Sequence, residues 1–216
     1  MKWINYFFTF NIPFYIYKLQ IGDSIIEKKS QLYKQSIITL SGVIYVAQIF
    51  SNQEVVPITI LQKNNIIDLQ NYSINTKSYY QITSLQEAYL ISFSYNNIHI
   101  NHYISQHFLK DYLTHYQSTL YYQKMINYIL IQKNTQQRII QFIIILSIQS
   151  GIIEQEFIKI PFKIRKCDIA QMTGSNINTI HKTFKLLEKK KLIYYSKHNL
   201  LLIQNFFFLN FIYLLS

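Results

Sequence analysis

The side chains best suited to chemistry lie between Lys163 and Tyr195, in a stretch reading KIRKCDIAQMTGSNINTIHKTFKLLEKKKLIYY. It carries Lys166, Ser175, Asn176, Asn178, Thr179, His181, Lys182 and Lys185. Lysine donates to phosphate oxygens and to guanine edges, asparagine pairs bidentately with adenine, and small hydroxyls bond phosphates. These residues suit gripping a polyanion and reading its edges. Charge follows the same pattern. The chain has 21 Lys+Arg against 10 Asp+Glu, a formal net charge of +11. The excess is concentrated in Lys159, Lys163, Arg165, Lys166, Lys182, Lys185, Lys189, Lys190 and Lys191, opposed there only by Asp168 and Glu188. Such a surface suits nucleic acid or an anionic membrane.

Bond-breaking chemistry lacks its residues. No glycine-rich phosphate loop, GxSxG elbow or HExxH pair occurs, so no enzyme is expected. His99, His102 and His107 cluster in sequence, but no carboxylate or thiol stands at matched spacing, and no metal is expected there. Cys167 is the one cysteine, which leaves no disulfide framework and fits a reducing compartment. We read it as a partly buried structural cysteine, with a redox thiol as the alternative.

The elements that must hold the basic residues can be read locally. Asp168 is placed to open a helix with Ile169, Ala170 and Met172 on its inner face. Gly174 suits a turn that needs positive φ. Ser175 or Asn176 caps a second helix, which buries Ile177, Ile180, Phe184 and Leu187 and shows its polar residues outward. This is a helix-turn-helix, whose second helix enters the DNA major groove. Tyr194–Ile203 reads as two strands around Lys197-His198-Asn199, a wing.

Upstream, residues from about 14 to 95 read as β. Apolar runs at Ile37–Leu40, Val43–Ile49, Val55–Leu61, Tyr79–Thr83 and Ala88–Phe93 are separated by turn residues, a sandwich or jelly-roll pattern. From about His102 to Lys133 the period becomes helical. Phe108, Tyr112, His115, Thr119, Tyr122, Ile126 and Ile129 alternate by four and three, the spacing of a coiled-coil seam, and Leu109, Leu113, Tyr116 and Leu120 form a second stripe. One stripe is expected to rest on the β-domain and the other to meet a partner helix in a homodimer; a single broad face inside one domain is the alternative. Thr135–Gln149 reads as another helix ended by Gly151, and Phe157–Pro161 as an extended piece. Met1–Leu19 and Leu200–Ser216 are too interrupted by polar residues to be leader or span, and read as buried edges of the fold.

The residues also resemble the CRP/FNR family of transcription factors. Asp168-Ile169-Ala170, Gly174, Thr179-Ile180, Leu186-Leu187-Glu188 and Leu192-Ile193 match the family's helix-turn-helix pattern. Gly22-Asp23-Ser24-Ile25-Ile26, Leu40-Ser41-Gly42-Val43-Ile44-Tyr45-Val46 and Glu54–Leu61 match its β-roll. Ile60-Leu61-Gln62-Lys63-Asn64 and Gly174-Ser175 with Thr179-Ile180 resemble the branch of nitrogen-control regulators of cyanobacteria and red-algal plastids. The Ile-, Asn-, Lys- and Tyr-rich composition fits an AT-biased genome such as a plastid's; a bacterial cytoplasm is the alternative.

The resemblance implies an α+β fold with an N-terminal β-roll effector-type domain (residues 1–101), a dimerisation helix (102–133) and a C-terminal winged helix-turn-helix (134–216). It implies a homodimeric, nitrogen-responsive activator of promoters, with 2-oxoglutarate as effector, no bound cofactor, double-stranded DNA as partner, RNA polymerase as a further one, and no membrane. Lys77, Lys133 and Arg138 are the effector candidates. Ile67-Asp68 stands where the family has Phe-Gly, Ser78 where an arginine is common, and Lys182 where the recognition helix carries arginine. The alternative is a degenerate small-molecule sensor with weakened DNA binding.

Overall fold

The computed structural model describes residues 2–28, 35–69, 78–94, 96–100, 105–196 and 200–204. It divides into two compact units, Met1–Lys124 and Met125–Ser216.

The first unit opens with a helix that the sequence reading did not assign, α1 (Lys2–Thr9), followed by β1 (Phe14–Leu19), β2 (Ser24–Lys28), β3 (Gln35–Ser41), β4 (Ile44–Phe50), β5 (Val55–Leu61), β6 (Ile66–Leu69), β7 (Ser78–Ser84), β8 (Ala88–Ser94) and α2 (Asn96–Ile100). The strands form two antiparallel sheets, β1-β8-β3-β6 and β2-β7-β4-β5. Adjacent residues of the first sheet serve different cores. Ile37, Ile67 and Leu90 join Ile44, Val46, Leu61 and Ile82 in one cluster. Their neighbours Ile38, Ile66 and Ile91 pack with Trp3 and Phe7 of α1 and with Phe108 and Tyr112 downstream. A sheet covered on both faces reads as continuous apolar runs rather than alternation, which is why these strands were visible as runs. Pro57, on the edge strand β5, pairs with Ala47 beside a register shift that leaves Ile58 unmatched, a place where the missing N–H costs least. β1 is an edge strand, and Tyr15, Ile16, Tyr17 and Lys18 are exposed, so only part of Met1–Leu19 is buried.

The helix α3 (Gln106–Ile131) crosses the boundary between the units. Its seam-spaced stripe turns inward. Phe108, Tyr112, Thr119, Ile126 and Ile129 are buried, while Leu109, Leu113 and Leu120 are 40%, 53% and 44% exposed. The polar members of the stripe find partners. Thr119 Oγ1 accepts the Ile66 amide at 3.1 Å, and the His115 ring sits edge-on to Trp3. The stripe with coiled-coil spacing is therefore spent on the chain's own core, and of the second stripe Tyr116 packs partly against that core while the three leucines are left uncovered.

The second unit holds α4 (Thr135–Ser150), β9 (Ile152–Glu154), β10 (Phe157–Lys159), α5 (Lys166–Thr173), α6 (Ile177–Lys189), β11 (Ile193–Tyr195) and β12 (Leu201–Gln204). Asn134 caps α4 by accepting the Gln136 and Gln137 amides. Ile139, Phe142, Ile143 and Leu146 of α4 are buried along with Ile169, Met172, Ile180, Phe184 and Leu187 of α5 and α6. The four short strands form one antiparallel sheet in the order β11-β12-β10-β9. Lys197-His198-Asn199, the expected wing tip, and residues 205–216 lie outside the described residues.

Candidate nucleic-acid interface

The two helices meet at a turn whose chemistry matches its sequence. Gly174 has φ +56 and ψ 38, and its amide bonds back to α5. Ser175 is drawn into this turn: Thr173 Oγ1 and Ser175 Oγ lie 2.8 Å apart. Asn176 caps α6, accepting the Asn178 amide at 2.8 Å. Its side-chain carbonyl is therefore committed to the helix, leaving only its amide nitrogen to face a ligand.

Two local expectations change. α5 begins at Lys166, not at Asp168. Asp168 occupies the third helical position and reaches back to the Arg165 amide at 2.9 Å, while Arg165 clasps the same carboxylate from its Nε and Nη2 at 3.0 and 2.7 Å. A carboxylate there accepts the N-cap amide and opposes the helix dipole, so Asp168 supports the helix start from its third position rather than acting as the cap. Ile177 is 38% exposed instead of buried, and Thr183 takes the inner position at 1%. In the first turn of α6 the side chain overhangs the turn, whereas Thr183 lies between Ile180 and Leu187 on the packed face.

Asn178, His181, Lys182 and Lys185 are all exposed, and Thr179 is half-buried. The spacings of three, four and seven put the first four on one side of α6. Lys189, exposed and four residues on, extends that row; its position in the basic run, continued through α6 at helical spacing, was the signal for it. No acidic side chain lies in the first turn of α6, so the helix presents its positive end and its lysines together. Lys166 stands apart from this row. It is half-buried, its ammonium 5.4 Å from the Phe184 ring centre and 4.9 Å from that of Tyr195. Tyr195 donates its hydroxyl to the Ile164 carbonyl at 2.9 Å, and burial foremost pushes the phenol up to about 12. Cys167, expected to be partly buried, is exposed.

Of the effector candidates, Lys133 and Arg138 lie among the described residues. Lys133 is exposed at the link after α3. Arg138 donates from Nε to the Gln132 carbonyl, tying that link to α4, and its Nη1 would stand 3.7 Å from a Cβ on Gly174. Lys77 lies outside the described residues. Among the described residues, no group of histidine, cysteine and carboxylate side chains is arranged to hold a metal, and no helix is long and apolar enough to cross a membrane.

This geometry has counterparts among known proteins. The solved structure of a CooA mutant from Carboxydothermus hydrogenoformans superposes with a TM-score of 0.72 at 14% identity, covering 94% of this chain and 88% of that one. A transcriptional regulator of the CRP/FNR family from Thermus thermophilus superposes at 0.64, also with 14% identity, covering 88% and 94%. The chain has the CRP/FNR fold. In sequence it is similar to the "Putative HTH-type transcriptional regulator ycf28" of Porphyra purpurea, 26% identical over 210 residues that span 88% of this chain and 82% of the relative. No family model matches the sequence.

Proposed function

We propose that this chain is a sequence-specific DNA-binding transcription regulator that works as a homodimer and sets α6 into the major groove. The observation that carries the reading is the exposed row Asn178, His181, Lys182 and Lys185 on a helix capped by Asn176 and joined to α5 at Gly174. A capped helix keeps its polar face in fixed register, and the face offers both base-reading amide groups and phosphate-gripping cations. Ser175, Asn176 and Thr179 join the proposed footprint through the turn and the start of α6, and Lys166, at the start of α5 with its ammonium over the Phe184 and Tyr195 rings, lies at its margin. β11, β12 and the residues between them serve as the wing. The likeness to ycf28, itself described as a helix-turn-helix regulator, supports the same reading.

The partition that goes with it is an effector-type β-roll at 1–101, a dimerisation helix at 102–133 and a DNA-binding region at 134–216. The dimer contact is the uncovered stripe of α3, Leu109, Leu113 and Leu120, whose apolar area a second copy would remove from water. Its resemblance to the plastid nitrogen regulators supports a nitrogen-responsive activator that takes 2-oxoglutarate through Lys77, Lys133 and Arg138, recruits RNA polymerase and resides in a plastid. The deciding experiment is selection of bound sequences from a random DNA pool. A palindromic site with half-sites ~34 Å apart is expected; recovery of no preferred sequence would overturn the specific form of the reading.

A further inference from the structure

Away from the basic face, the first unit contains an open cavity of about 760 Å³ at the start of α1, over the outer face of the sheet that contains β1 and β3. This lies within the size range of sites that hold small organic ligands. Its walls are mostly carbon: Trp3, Ile4, Ile16 and Leu40. Among the described residues, the charged side chains that line it are Lys2 and Lys63, and no acid lines it. Lys2 is engaged with Asp111, but Lys63 pairs with no carboxylate among the described residues.

The turn that carries Lys63 is built rather than slack. Asn64 accepts the Trp3 indole N–H at 3.0 Å and donates its amide to the Thr39 carbonyl at 2.7 Å. The next residue, Asn65, accepts the Gln62 amide at 2.8 Å. These bonds fix the backbone from which the Lys63 side chain projects at the rim. Apolar surface remains uncovered beside it, with Ile16 49% and Tyr89 37% exposed. A cationic rim over an apolar bed is complementary to a molecule with one anionic end and an apolar body. A nucleotide or sugar phosphate fits less well, since its many polar groups would meet mostly carbon.

We propose that this cavity binds an amphiphilic monocarboxylate, its acid head at Lys63 and its hydrocarbon body along Trp3, Ile16 and Leu40. Trp3 is the chain's one tryptophan, so its emission reports on the cavity directly. The full chain is titrated with sodium laurate below its micelle-forming concentration and, in parallel, with 1-dodecanol, following Trp3 fluorescence and the melting temperature. Laurate is expected to give a saturable change with a matching rise in melting temperature, and dodecanol to bind about fivefold more weakly, the worth of one partly exposed ion pair. Lys63→Gln should bring laurate to the dodecanol level and leave dodecanol unchanged, which separates lost charge from lost fold. The absence of a saturable response to laurate, equal binding of acid and alcohol, or an unaltered laurate affinity in Lys63→Gln would each overturn the proposal.

Discussion

The lysines of the second unit divide into two kinds, and replacing them one at a time by glutamine should separate those roles. Lys182 and Lys185 are exposed on the outer row of α6. In the proposed homodimer each lysine occurs twice, so if each copy neutralises one phosphate, one substitution lowers the magnitude of the slope of log affinity against log salt by about 1.8 and the double variant by about 3.6. Neither replacement removes a packed contact, and the melting temperature should stay within about a degree of the parent. Lys166 behaves in the opposite way, because its ammonium lies 5.4 and 4.9 Å from the Phe184 and Tyr195 ring centres. Two partly exposed cation–π contacts are together worth about 1–2 kcal/mol. Lys166→Gln should therefore lower the melting temperature by several degrees and change the salt slope by much less than Lys182→Gln. Anisotropy of a labelled duplex across a salt series measures the slope, and thermal unfolding measures the second effect. An unchanged slope in Lys182→Gln would refute the assignment of α6 as the DNA-facing helix.

Other substitutions test particular features. Gly42 and Gly174 both have positive φ, but a Cβ on Gly42 would stand 2.3 Å from the Glu87 carbonyl oxygen, whereas one on Gly174 meets nothing closer than 3.7 Å. Gly174→Ala should cost only the left-handed backbone penalty of about 1–2 kcal/mol, and Gly42→Ala clearly more, as read by urea unfolding. Thr183 is 1% exposed and its hydroxyl has no hydrogen-bond partner among the described residues, so Thr183→Val, similar in shape, should raise stability by about 1 kcal/mol in the same assay. Burial, outweighing bonds from Ser36 and Tyr112, raises the Asp68 carboxyl above its ordinary value. The folded state then holds that proton more tightly than the unfolded chain, so stability falls as pH rises from about 4 through the folded value. Asp68→Asn should flatten that part of the stability–pH curve, and an unflattened curve would assign the slope to other groups. Leu113→Glu, at an exposed position of α3, should shift the chain toward monomer in sedimentation analysis, without unfolding it.

Much of this architecture was legible along the chain. Val55–Leu61 is both an apolar run and β5, and Thr135, Gly151 and Gly174 mark ends that local chemistry sets. The β-strands missed by the reading are short or exposed: β1 shows four consecutive residues to solvent, and β6 has only four residues. α1 was missed because its burial rests on distant partners. Tyr6 donates to Asp111 at 2.7 Å, 105 residues away, and Trp3 packs against Phe108.

At the site, local sequence sets the turn at Gly174, the cap at Asn176 and the charge of α6, since each depends on neighbours within about one helical turn. Long-range packing sets the remainder. Periodicity shows that α3 has two apolar stripes, but only the sheet beneath determines which is covered, and it chose the stripe with coiled-coil spacing. Likewise, a lysine's type does not say whether its charge meets solvent or a ring. Lys166 and Lys182 look alike in the basic segment, yet packing of β11 against α6 brings Tyr195 and Phe184 together under Lys166 and leaves Lys182 free on the outer face of the helix.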